Sequence, residues 1–93
     1  MKRKRRADPV TADVALAVLS RDAGCVAVAL GASPATCKGR LTLDHVRDHA
    51  AMGAKRAPSD TAHLVALCEE HHLWSGWATS HKPELREYLR SVA

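Results

Sequence analysis

Two side chains of metal-binding type stand close together in the run Cys68-Glu69-Glu70-His71. The two-residue gap lets a tight turn direct a thiolate and an imidazole at one ion, but four-coordinate zinc needs two more ligands. The remaining cysteines of the chain are Cys25 and Cys37, so a Cys3His site would use all three. Such a site joins residues that are distant in sequence, and it therefore limits how the chain can fold.

The composition favours a metal staple. The chain has 93 residues and no Phe, so its core must be small and largely aliphatic. We expect Trp74 and Trp77 in that core, with stacking on nucleobases as the alternative. The odd number of cysteines argues against a disulfide framework. The long gap between Cys25 and Cys37 leaves open that both are small buried apolar side chains.

Basic charge is concentrated at the start of the chain. The net charge is +4, and the first six residues hold five of the fourteen basic side chains, namely Lys2, Arg3, Lys4, Arg5 and Arg6. We predict that residues 1–10 are a flexible basic arm and that residues 11–93 are the folded domain. The arm suits an anionic partner such as nucleic acid, and the alternative is a solubilising tail. Lys55 and Arg56, in a polar loop, are further candidates for phosphate contacts.

Hydropathy gives no sign of a membrane protein. No stretch approaches the roughly 20 apolar residues of a membrane span. The basic start is followed by Ala7-Asp8-Pro9 and not by the apolar run of a signal peptide. We therefore expect no membrane partner and a cytoplasmic location, and the Ala- and Arg-rich composition suggests a bacterium or a phage-infected cell.

The clearest periodic patterns predict an α+β domain. Apolar residues recur at helical spacing after Thr11, a good N-cap, and Gly24 is a stop signal. Residues 41–46 alternate and predict a strand. Residues 84–90 predict a last helix, with Pro83 in its first turn.

Two further segments are short and apolar. Residues 25–30 are interpreted as a strand or an apolar turn, which together with residues 41–46 suggests a β-hairpin with an irregular connection and a tight turn at 37–40. Residues 60–68 are interpreted as a short helix with Asp60 as its N-cap, followed by a second helix or turn.

The segment 41–72 resembles the HNH endonuclease family, which has the ββα-metal, or His-Me finger, fold. Asp44-His45 matches the family's first motif, an Asp-His pair at the end of the hairpin's second strand. The middle motif of the family is an Asn before a Leu-rich run that ends in Cys. In this chain His63 stands in the place of that Asn.

The last motif of the family is a His directly after C-x-x-C. Here His72 follows Cys68, and His71 replaces the second Cys. The second zinc pair also departs from the family pattern, because Cys25 and Cys37 do not form a C-x-x-C. The run of residues 21–25 resembles the opening segment of small phage-type members.

The resemblance implies a zinc-stapled ββα-metal domain with flanking N- and C-terminal helices. It implies hydrolysis of DNA phosphodiester bonds, by nicking or cutting with low intrinsic sequence specificity, and phage DNA-packaging proteins as further partners. Asp44 and His72 would hold a catalytic divalent ion (Mg²⁺, Mn²⁺, Ni²⁺ or Zn²⁺), while His45 would accept a proton from water. His63 would order the loop around that base. The structural zinc would be held by Cys25, Cys37, Cys68 and His71.

Three questions stay open in the sequence. A non-catalytic zinc module that binds DNA or a protein partner would not need Asp44, His45 or His72. His63 is alternatively a further metal ligand or a histidine without function. Adjacent residues of a regular strand point to opposite faces, so Asp44 and His45 can share one site only where the strand ends or distorts.

Overall fold

The computed structural model describes residues 9–46 and 58–92 of the chain. The elements in chain order are α1 (Ala12–Asp22), α2 (Val26–Ala29), a 3-10 turn (Pro34–Thr36), β1 (Leu41–His45), β2 (Leu64–Cys68), a π-helical turn (Glu70–Trp74), α3 (Trp77–Ser80) and α4 (Lys82–Val92). The predicted α+β class is confirmed. No helix in the described ranges has both the length and the apolar character needed to cross a bilayer.

The predicted nucleic-acid contacts lie outside the described residues. This holds for the two groups of basic side chains, Lys2, Arg3, Lys4, Arg5, Arg6, Lys55 and Arg56. The sequence prediction for them therefore stays a prediction.

The first and last helices follow their sequence signals. The Thr11 hydroxyl accepts a hydrogen bond from the Val14 N–H at 3.3 Å, so the predicted N-cap of α1 is confirmed. The helix ends at Asp22, and the left-handed cap position is taken by Ala23, one residue before the predicted stop. The last helix, α4, is confirmed and is longer than predicted.

The two strands pair differently from the predicted hairpin. β1 and β2 are antiparallel, with Leu41 opposite Cys68 and His45 opposite Leu64. Residues 26–29 form α2 and not a strand, so the hairpin predicted between residues 25–30 and 41–46 is wrong. The helix predicted over residues 60–68 is also wrong, because its second half is β2. Asp44-His45 therefore ends the first strand of the pair and not the second.

β2 is buried on both faces and divides the core. Leu64 and Ala66 pack with Val18 of α1 on one side. Val65 and Leu67 belong to the larger cluster on the other side. The buried members of that cluster are Val26, Ala27, Val46, Val65, Leu67, Ala78, Leu85 and Leu89. Burial of all five strand residues explains why the sequence of β2 shows no polar alternation.

The segment at the end of α1 covers the edge of β2 that faces away from β1. Its side chains bond to backbone groups that a third strand would otherwise pair. The contacts are Ala66 N–H to Asp22 Oδ2 at 2.8 Å, Cys68 N–H to Cys25 Sγ at 3.3 Å, and Arg21 Nη2 to the Leu64 carbonyl at 2.6 Å.

Asp22 is the centre of a buried polar network. Its side chain is fully buried and pairs with Arg21 through Nε at 2.7 Å and Nη2 at 3.2 Å. The Tyr88 hydroxyl donates to Asp22 Oδ1 at 2.6 Å. Burial and this hydrogen bond raise the pKa of Tyr88 to about 12. The network joins α1, β2 and α4.

Candidate functional site

Three cysteines and one histidine meet beside the larger core cluster. One ligand atom from each of Cys25, Cys37, Cys68 and His71 lies within 4.8 Å of the others. His71 Nδ1 is 3.1 Å from the Sγ of Cys68, 3.6 Å from that of Cys25 and 3.7 Å from that of Cys37. Tetrahedral zinc with ordinary bond lengths places nitrogen and sulfur about 3.5 Å apart. The group could therefore hold a metal ion such as zinc.

Turns in the chain bring these ligands together. Cys25 is the residue before α2, Cys37 follows the 3-10 turn, and Cys68 ends β2. Gly39 reverses the chain between Cys37 and β1 with a φ of 82°. A Cβ at Gly39 would collide with the Glu69 side chain, so this turn requires glycine.

A threonine determines which nitrogen of His71 faces the sulfur atoms. The Thr36 hydroxyl donates its proton to the Ser33 carbonyl at 2.6 Å. It can therefore only accept from His71 Nε2, which lies 3.0 Å away. Nδ1 of the neutral ring is left with its lone pair directed at the cysteines. This second contact is typical of a histidine that binds a metal.

The environment shifts the pKa values of two thiols of the cluster, Cys68 and Cys37, in opposite directions. Burial opposes ionisation of Cys68, but backbone N–H groups of His71 and Lys38 stabilise its thiolate, so that its pKa falls to about 6. Burial, together with the neighbouring sulfur atoms of Cys68 and Cys25, raises the pKa of Cys37 to about 12. Cys68 therefore ionises more readily than Cys37.

A second polar site lies between β1 and the π-helical turn. His72 Nε2 is 3.3 Å from Asp44 Oδ1, and Asp44 is buried. We call these two residues the carboxylate–imidazole pair. The Thr42 hydroxyl donates to the Leu67 carbonyl at 2.8 Å and so accepts from His72 Nδ1 at 2.6 Å. In the neutral ring, Nε2 then presents its lone pair towards Asp44.

This arrangement fits a divalent cation. Asp44 Oδ1 and His72 Nε2 are both of ligand type, so both could contact one cation. Adjacent ligands of an octahedral ion with Mg²⁺-like bond lengths are roughly 3 Å apart. The distance of 3.3 Å between the two atoms is close to that value.

Lys82 also reaches this site, and the sequence reasoning missed it. Its Nζ donates to Asp44 Oδ2 at 2.9 Å and lies 3.5 Å from the His45 carbonyl. Lys82 is the first residue of α4. A positive charge at a helix N-terminus opposes the helix dipole. This unfavourable position was the one sign in the sequence that Lys82 has another role.

His45 and His63 have other partners. His45 Nε2 is 2.9 Å from Ser59 Oγ, and His63 Nδ1 is 2.7 Å from Asp60 Oδ1. Among residues 9–46 and 58–92, no hydrogen bond or ion pair links either ring to the carboxylate–imidazole pair. The two histidines do lie at the same end of the strand pair. His45 is opposite Leu64, and the next residue, Val46, donates its N–H to the His63 carbonyl at 2.8 Å.

The two tryptophans differ in exposure. Trp77 packs partly buried against the larger core cluster and stacks on His81 with the ring centroids 4.2 Å apart. Trp74 is 59% exposed, so the prediction that it belongs to the core is wrong. It follows His72 by two positions on the π-helical turn, in which His71 and His72 belong to the two polar sites.

Comparison with known proteins adds no family to this geometry. No protein-family model matches the chain, and neither a curated protein nor a solved structure is significantly similar to it.

Proposed function

We propose that the chain is a metal-dependent HNH endonuclease that hydrolyses DNA phosphodiester bonds with low intrinsic sequence specificity. The carboxylate–imidazole pair carries this proposal, because its ligand atoms lie 3.3 Å apart and Thr42 holds one ring nitrogen. The elements carry the residues that it uses, with Asp44-His45 at the end of the first strand of the pair. A strand ends in Asp44-His45, an antiparallel strand ends in Cys68, and a helical turn carries His72.

The pair would hold one divalent ion beside the scissile phosphate. Such an ion stabilises the charge that develops on the phosphoryl group and makes water a better nucleophile. Asp44 contributes a hard oxygen ligand and His72 an imidazole nitrogen. Thr42 accepts the hydrogen bond from His72 Nδ1 and so leaves the lone pair of Nε2 to bind the ion.

In this proposal His45 accepts the proton of the attacking water. Imidazole is suited to this near neutral pH. The hydrogen bond between His45 Nε2 and Ser59 Oγ supports an oriented ring. His63, paired with Asp60, would order the loop that leads into β2, in place of the family's asparagine.

The Cys3His cluster has a structural part in this proposal, holding zinc that joins distant parts of the chain. The basic arm, with Lys55 and Arg56, would contact DNA phosphates and add affinity without sequence specificity. A cytoplasmic protein of a bacterium or a phage-infected cell fits this role, and phage DNA-packaging proteins are proposed partners.

One contact favours a second candidate, a non-catalytic zinc module that binds DNA or a protein. The Lys82 ammonium already gives Asp44 a cationic partner at 2.9 Å. In that case the carboxylate–imidazole pair and Lys82 form a structural ion-pair cluster, and no divalent ion is needed.

Nicking of supercoiled plasmid separates the two candidates. We expect the zinc-loaded protein to relax plasmid when Mg²⁺ or Mn²⁺ is added. His45→Ala and Asp44→Asn should each lower the rate at least about 100-fold, because each removes a group that acts on the reacting atoms.

Glu87→Gln is the control, since that side chain is 79% exposed on α4. It should nick like the wild type. Equal zinc content in all proteins shows that the changes leave the fold in place. A wild-type protein that nicks no faster than His45→Ala with several metal ions would leave the non-catalytic module as the function.

A further inference from the structure

We propose that Lys82 is a positioning residue for the divalent ion. It holds Asp44 as a one-oxygen ligand and weakens the binding of free metal by neutralising the carboxylate. This inference rests on the proposed function, because it concerns the same metal site.

The contacts assign separate tasks to the two oxygens of Asp44. Oδ2 accepts from Lys82 Nζ at 2.9 Å, whereas Oδ1 faces His72 Nε2 at 3.3 Å. Only Oδ1 is therefore presented to an ion on the imidazole side. Bidentate coordination by Asp44 would bring the ion closer to the Lys82 ammonium, which the repulsion of like charges opposes.

Packing keeps Lys82 in this place. It begins α4, which is anchored in the core by Leu85 and Leu89, both buried. The ammonium has a second acceptor in the His45 carbonyl at 3.5 Å. The lysine side chain is 32% exposed, so the ion pair is partly shielded from water.

The net charge of the proposed metal site, before any ion binds, is then zero. Asp44 contributes one negative charge and Lys82 one positive charge, and an imidazole that binds a metal ion contributes none. Sites for divalent cations depend on the number of charged ligands for their affinity. Asp44 with Lys82 therefore binds a free ion weakly, and a phosphodiester anion would supply the missing negative charge. Metal and DNA should consequently favour each other's binding.

Binding of Mn²⁺, followed by electron paramagnetic resonance, tests this without any turnover. The zinc-loaded protein is titrated with Mn²⁺ in the absence of DNA, as the wild type and as Lys82→Met. Removing a unit charge a few ångströms from the ion should tighten Mn²⁺ binding at least about tenfold. Lys82→Arg keeps the charge and should bind Mn²⁺ like the wild type.

Asp44→Asn combined with Lys82→Met identifies the site, because it should lose the gained affinity. Affinity that is unchanged or weaker in Lys82→Met overturns the inference, and so does the absence of Mn²⁺ binding in both proteins. The outcome is independent of the nicking assay. Tighter Mn²⁺ binding in a protein that does not nick would keep the role of Lys82 and remove the nuclease.

Discussion

Thr36 and Thr42 do the same work in two different sites. Each hydroxyl donates to a backbone carbonyl and therefore must accept from a histidine N–H. Thr36 thereby directs Nδ1 of His71 at the cysteines, and Thr42 directs Nε2 of His72 at Asp44. Adjacent histidines thus present different nitrogens to different ligand sets.

Replacing the Thr42 hydroxyl by a methyl group should weaken the proposed divalent-ion site. We expect Thr42→Val to lower Mn²⁺ affinity about 10–100-fold, because loss of a hydrogen-bond partner of a metal-binding histidine has effects of this size. Thr42→Ser, which keeps the hydroxyl, should stay close to the wild type. The measurement is the same Mn²⁺ titration at equal zinc content. Equal affinity in the Val and Ser variants would show that the hydroxyl does not control the ring.

The types of the site residues could be predicted from the sequence, but not all of their partners. Cys and His carry metal chemistry wherever they stand, so Cys25, Cys37 and Cys68 could be proposed as one set. Lys82 could not, because a lysine has no specific chemistry until its partner is known. Its partner Asp44 is 38 positions away in the chain.

Among the secondary-structure elements, the short apolar segments were predicted wrongly. β2 is buried on both faces, so its sequence has neither the alternation of a half-exposed strand nor the length of a helix. Residues 25–30 have the same ambiguity, and they contain a single helical turn. The longer α1 and α4 and the alternating β1 were predicted correctly because each has one exposed face.

The Asp22 network predicts which substitution destabilises the packing of these elements. Asp22→Asn leaves the partly buried Arg21 without its counter-ion and should lower the free energy of unfolding by about 3–5 kcal/mol. Urea unfolding of the zinc-loaded protein measures this. Glu87→Gln, at an exposed ion pair of α4, should change it by no more than about 0.5 kcal/mol. Similar stability of both variants would mean that the network contributes little.

For the whole molecule, the Cys3His cluster connects parts of the chain that are distant in sequence. Cys25 and Cys37 flank α2 and the 3-10 turn, while Cys68 and His71 belong to β2 and the π-helical turn. A chain of 93 residues buries little apolar surface, so this connection should matter for stability.

We predict about one tightly bound zinc per chain, released by acid. The thiolate of Cys68, with a pKa of about 6, is favoured by the fold. A lowered pKa stabilises the fold above the ordinary pKa of the thiol, and this contribution is lost as the pH falls towards 6. The raised pKa of Cys37 has the opposite effect on stability. Its contribution to the stability of the fold is lost as the pH rises from 9 towards 12.

Elemental analysis and a chromogenic chelator measure the zinc content and its release against pH. Release should increase as the pH falls, because protons compete with the ion for the sulfur and imidazole ligands. Cys68→Ser should bind zinc more weakly at every pH. A folded protein without zinc would contradict the prediction.

The covered edge of β2 also affects how copies of this chain meet one another. A strand with unpaired N–H groups is a template on which another chain can add, and this leads to aggregation. Here Asp22 and Cys25 occupy the N–H groups of Ala66 and Cys68 along that edge. The sulfur atom proposed to bind zinc thus also covers this strand edge, so a substitution of Cys25 would endanger solubility as well as zinc binding.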